Sequence, residues 1–106
     1  MAVSFPNPKD GIARHAIGLD RYMWGNDQPH AKGTFPHTTA ALKRAFAGAD
    51  PGDLDEIFAG TPARVHGFDL DKLAADAARV GPLVDEVAKP LDEIPAGVAS
   101  PALFRD

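Results

Sequence analysis

The chain has 106 residues, 44% of them hydrophobic and 25% charged, with no cysteine and a formal net charge of −4. A chain of that length holds one core and buries roughly 60–70% of its unfolded surface, and its composition is far from the polar bias of disordered chains. The absence of cysteine excludes a disulfide framework, a thiolate zinc site and a cysteine nucleophile.

Charge is unevenly placed. Residues 1–48 carry six Lys and Arg against three Asp, and residues 49–106 carry five against twelve acidic residues. The basic residues are scattered, with only Lys43 and Arg44 adjacent, and form no arginine-rich run or aromatic platform, so nucleic acid is not an expected partner. The opening "MAVSFPNPKD" lacks a basic leader with an apolar core, and no apolar run reaches membrane-spanning length; the expectation is a cytoplasmic protein with no membrane contact.

In chain order, "AVSF" (residues 2–5) is a short apolar strand stopped by Pro6 and Pro8. Asn7 then caps a helix with Pro8 in its first turn, and Ile12, Ala13, Ala16 and Ile17 recur at helical spacing until Gly18. "RYMWG" (residues 21–25) reads as a second strand, too uniformly apolar for one exposed face. A helix crossover of this length predicts parallel, right-handed pairing of the two strands. "AKGTFPHTT" is loop, with Thr38 or Thr39 available to cap a helix that runs to Phe46 and buries Leu42, Ala45 and Phe46.

Asp50 and Pro51 open the next helix, with Leu54, Ile57 and Phe58 on its apolar face and Gly60 as its stop. Thr61 and Pro62 start another, closed by Gly67. Leu70, Leu73, Ala77 and Val80 line one side of a longer one. Gly81 and Pro82 break it, a last piece carries Leu83, Val84 and Val87, and Pro90, Pro95 and Pro101 leave the tail irregular. Two strands cannot cover their own faces and edges, so the pattern looks incomplete by itself.

The stretch "MWGNDQPH", Met23 to His30, is the candidate site. A strand that turns abruptly into polar residues is where parallel α/β architectures place chemistry. Asp27 follows the strand end, with Gly25 allowing the bend and Pro29 stiffening the exit. The alternative is a plain turn in which Asn26 and Asp27 bond their own backbone.

"MWGNDQPHAKGTFP", with "IGLDRY" before it and "ARVHGFDLDKL" after it, resembles the C-terminal segment of the amidohydrolase-related proteins, metal-dependent hydrolases and decarboxylases built on a (β/α)8 TIM barrel. The likeness runs from about Phe5 to about Pro95 and includes "VGPLVDEVAKPLDEIP". It implies an α/β fold, mainly helical by content: the last strand-helix-strand unit of a barrel followed by several helices, with residues 1–89 in the barrel domain and 90–106 as a proline-containing tail. It implies that Asp27 binds a divalent metal ion, zinc above all, and manages the proton of the metal-bound water, in hydrolysis or else decarboxylation of a small organic substrate. Such an ion lowers the pKa of its water, and an adjacent carboxylate can accept that proton.

"GTPARVHGFD" departs from the family's asparagine-alanine-alanine-arginine wording at Thr61 and Pro62, at an expected helix start. The His-x-His pair that supplies the family's other ligands is absent, and His15, His30, His37 and His66 do not pair at a helical i, i+4 spacing. The chain alone is therefore expected to hold no metal and to need the remaining N-terminal part of the barrel, or a homo-oligomer. The other class of reading is a small helical interaction module without catalysis.

The neighbours have plain readings too. His30 either supports Asp27 and substrate or is a loop histidine held by Pro29. His37 reads as a helix-start residue, His15 and His66 as surface or packing residues, Trp24 as core, and Lys32 as a solvated loop lysine or an attractor of anionic substrate. Phe35 is left open between pocket and core.

Overall fold

The computed structural model describes residues 2–3, 7–98 and 101–104. Ser4 and Phe5 of the expected first strand lie outside the described residues. What remains of that strand is β1 (Ala2–Val3), paired in parallel with β2 (Met23–Trp24), Ala2 opposite Met23 and Val3 opposite Trp24. Between them runs α1 (Pro8–Ile17). The parallel pairing follows from a helix crossover, but the expected barrel does not. Among the described residues the strands are two residues long each, and the body is helix packed on helix. The reason is local: Leu19–Arg21 winds into a 3₁₀ turn and Tyr22 faces fully into the helical core, which leaves only Met23 and Trp24 to pair. The α/β barrel expectation is thus corrected to a mainly helical unit with a minimal parallel ribbon.

Helix starts are where the sequence is most explicit. Asn7 Oδ1 accepts from the N–H groups of Lys9 (2.9 Å) and Asp10 (3.2 Å), and Asp10 Oδ2 accepts from the Asn7 N–H (3.0 Å), a reciprocal capping box. The buried face of α1 is not the expected stripe. Ile12 is 77% exposed, and it is Gly11 that is buried, set directly against the Ala45 carbonyl of α2 (Thr38–Phe46). A glycine lets two helix backbones approach more closely than any side chain would allow.

Asp50 caps α3 (Pro51–Asp55) through a 2.8 Å bond from the Gly52 N–H. The helix does not stop at Gly60. It passes through a π turn, Glu56–Gly60, straight into α4 (Thr61–His66), with Gly60 and Thr61 both in right-handed helical conformation. Pro62 explains the π turn. A proline inside an α-helix lacks an N–H and crowds the carbonyl four residues back, and one extra residue in the turn relieves that clash. The expected helix start at Thr61 is accordingly a mid-helix position, and Gly67 in left-handed conformation makes the stop.

The core gathers Tyr22, Leu42, Ala45, Phe46, Ala49, Leu54, Ile57 and Val87. Edge-to-face contacts run through it, Tyr22 to Phe46 (6.3 Å), Phe46 to Phe58 (5.6 Å) and Phe58 to Trp24 (5.9 Å), so β2 is tied to the π turn by rings. α6 (Val84–Ala88) closes the core with Val87, and the Gly48 N–H donates to the Ala88 carbonyl at 2.8 Å. In the tail, Pro101–Phe104 forms a 3₁₀ turn near α2 and buries Leu103 completely. α5 (Leu70–Val80) stands apart, with all eleven residues exposed.

Candidate functional site

The aromatic ladder fixes β2, and the chain leaves it through Gly25 into a tightly folded loop. Asn26 Oδ1 accepts from the Gln28 N–H at 2.8 Å, an Asx turn. The Asp27 carbonyl accepts from the His30 N–H (2.8 Å) and the His30 carbonyl from the Gly33 N–H (2.9 Å), while the peptides before Pro29 and Pro36 are cis. Gly33 is buried where the carbonyls of Asn26, Asp27 and His30 converge, and a Cβ there would meet the His30 oxygen at 2.9 Å. Thr34, fully buried, shares a 3.0 Å hydroxyl contact with Thr38, which anchors the loop to the first turn of α2.

Asp27 lies three residues beyond the end of β2. It is the one described non-glycine residue with positive φ, at +56°. The bend expected of Gly25 is therefore taken by Asp27, a residue type that tolerates the left-handed region better than most but still at a cost. The plain-turn alternative is present as well, through Asn26, so turn and presented carboxylate coexist. The Asp27 side chain is 43% exposed.

His30 comes near but does not form a dyad with Asp27. Its Nδ1 is 3.9 Å from Asp27 Oδ2, beyond hydrogen-bond length, and the same Nδ1 accepts from the Lys32 N–H at 3.1 Å. A nitrogen that accepts there cannot donate to the carboxylate, which places the proton of the neutral ring on Nε2. His15 is elsewhere, its Nε2 3.0 Å from Asp53 Oδ2, which also accepts from Arg14 Nε at 3.0 Å. His37 sits at the start of α2 without capping it through its side chain, and Phe35 is exposed.

His66, read from the sequence as a surface or packing residue, is exposed and lies next to the strand end. It joins Met23, Trp24, Gly25, Pro62 and Phe68 in lining an apolar groove of about 290 Å³ that opens beside the strand end. Its ring stacks on Phe68 at 5.4 Å. No local signal marked it, because only the continuous helix through the π turn brings residue 66 back to residue 24.

Among the described residues no group of three or more His, Asp or Glu is arranged to hold a metal ion. Asp27 offers one carboxylate, and His30 Nδ1 is engaged by backbone. The ion implied by the resemblance does not fit these residues alone, and what they provide is one presented carboxylate beside an apolar groove. Comparison with protein-family models, curated proteins and solved structures gives no match. The amidohydrolase-related likeness rests on the residues quoted for it.

Proposed function

We propose that this chain supplies one carboxylate, Asp27, to a metal-dependent hydrolytic site acting on a small organic substrate, with the other ligands contributed by polypeptide outside these 106 residues. The observation that supports this reading is the left-handed φ of Asp27, three residues past a parallel strand end. Backbone strain on a residue that bonds nothing obligatory through its side chain is characteristic of positions kept for chemistry. The groove lined by Trp24, His66 and Phe68 is of a size and polarity for the apolar part of a small substrate.

The test is purification from source cells together with copurifying polypeptide, followed by metal quantification and turnover of ester, lactone and amide panels. The expected outcome is metal and hydrolysis in the assembly, neither in the 106-residue chain by itself, and a loss of about 10²-fold or more in kcat for Asp27→Asn. An assembly whose turnover ignores Asp27→Asn overturns the proposal, as does stoichiometric metal on the isolated chain.

A second reading, the non-catalytic helical interaction module, is favoured by one feature: the apolar edge of α5 is uncovered, with Val80 71% exposed.

A further inference from the structure

Thr38 stands at the start of α2, where the sequence offers its hydroxyl as a helix cap, but the cap position is His37 and carries no side-chain capping bond. The Thr38 hydroxyl turns back to the loop instead. Its Oγ1 lies 3.0 Å from Oγ1 of the fully buried Thr34 and accepts from Asn26 Nδ2 at 3.5 Å. The other end of the same amide, Asn26 Oδ1, accepts from the Gln28 N–H at 2.8 Å. A backbone N–H must meet the amide oxygen, which leaves the NH2 for the hydroxyl.

We propose that Asn26 is the positioning residue of Asp27 and that Thr38 is its anchor on α2. A left-handed φ on a residue with a side chain persists only where its surroundings enforce it, and Asp27 has such a φ. Asp27 is the central residue of the Asx turn that Asn26 closes onto Gln28, so that one bond holds the chain over Asp27 in its bend. Without it residue 27 relaxes to negative φ, and its carboxylate leaves the direction it now takes.

A turn alone would travel with its loop. Thr38 ties this one to α2, which is itself fixed in the core by Leu42, Ala45 and Phe46, and Gly33 packs beneath the carbonyls of Asn26 and Asp27. At 3.5 Å the bond from Asn26 to Thr38 is long. The shorter bond to Gln28 therefore sets the conformation of Asp27, and Thr38 sets where the turn sits. The geometry stands without the hydrolytic reading; its consequence for turnover rests on that reading.

The test begins with nuclear magnetic resonance of the isotope-labelled chain, free of metal. A left-handed residue brings its amide proton close to its own Hα, which gives a strong Overhauser effect within residue 27. That effect is expected in the parent and in Asn26→Asp, which keeps the acceptor, and is expected to vanish in Asn26→Ala while the thermal melt stays cooperative. The Gln28 amide should exchange about tenfold faster in Thr38→Val and within about twofold of the parent in Thr38→Ser. In the assembly, Asn26→Ala should lower kcat about tenfold with KM within about twofold of the parent. A left-handed residue 27 in Asn26→Ala overturns the proposal, as does Gln28 exchange that is the same in Thr38→Val and Thr38→Ser. Loss of the Overhauser effect in Asn26→Ala with turnover unchanged sustains the positioning and counts against the hydrolytic reading alone.

Discussion

The Thr61 hydroxyl donates a 2.6 Å hydrogen bond to the Leu19 carbonyl oxygen, 42 residues earlier in the chain. It joins the 3₁₀ turn that feeds β2 to the helix that carries the groove. Thr61 is completely buried, and Arg64 Nη2 donates back to the same hydroxyl oxygen at 3.1 Å. Replacing Thr61 by Val keeps the shape and strands the Leu19 carbonyl without a donor. Urea denaturation should register a loss of about 1–3 kcal/mol, and Thr61→Ser, which keeps the donor, should lose clearly less.

Gly11 tests the crossing of α1 and α2. A Cβ at that position would overlap the Ala45 carbonyl, which is backbone and cannot swing aside. On an exposed helix Gly→Ala stabilises, so the sign here discriminates. Gly11→Ala should cost about 1–3 kcal/mol in the same denaturation assay. A stabilised variant would mean that the two helices do not meet this closely.

Tyr22 predicts an alkaline transition. Its ring is fully buried and its hydroxyl has no hydrogen-bond partner among the described residues. Burial first, and the Asp10 carboxylate second, push its pKa up from 10.0 to about 12. Because the folded value lies above the unfolded one, the contribution to stability is complete below pH 10 and is lost as pH rises from 10 toward 12. Over that window stability should fall by about 2–3 kcal/mol. Tyr22→Phe should remove this dependence, measured by urea midpoints against pH, and at neutral pH should be neutral or stabilising by about 1 kcal/mol, since it deletes an unpaired buried hydroxyl.

Asp27 separates mechanics from chemistry. At φ +56° a glycine is unstrained and a β-branched residue is not. Asp27→Gly is expected to leave stability within about 0.5 kcal/mol of the parent, and Asp27→Val to lose about 1–2 kcal/mol. If the carboxylate matters only as part of the turn, Asp27→Gly will keep the parent's activity in the assembly and only Asp27→Val will suffer; if it is presented for chemistry, Asp27→Gly folds normally and is inert.

Local signals in the sequence carried far. Asn7 with Pro8, and Asp50 with Pro51, announced two helix starts, and Leu42, Ala45, Phe46, Leu54 and Ile57 are buried at the positions that their spacing implied. Non-local geometry was not legible. The Gly60, Thr61, Pro62 triplet has the wording of a stop followed by a start, yet tertiary bonding of Thr61 to Leu19 keeps the helix continuous and the π turn absorbs the proline. The apolar run Tyr22 to Trp24 reads as a strand of a larger sheet, yet only Met23 and Trp24 pair, and the rings of Tyr22 and Trp24 pack edge-to-face on Phe46 and Phe58 of the helical core. At the site, Asp27 was visible as a residue type after a strand end, whereas its left-handed backbone and the stacking of His66 on Phe68 depend on contacts that no spacing encodes.

The π turn also sets a phase. It holds one residue more than an α-helical turn would, and each residue advances a helix by about 100°. Winding its extra residue into one wide turn keeps α4 in phase with α3, whereas the same residues wound as plain α-helix would swing everything downstream by that angle. Thr61 would no longer point at Leu19, and His66 and Phe68 would rotate off the flank of Trp24. A register of one residue, more than the identity of any side chain in the turn, thus governs whether the groove exists.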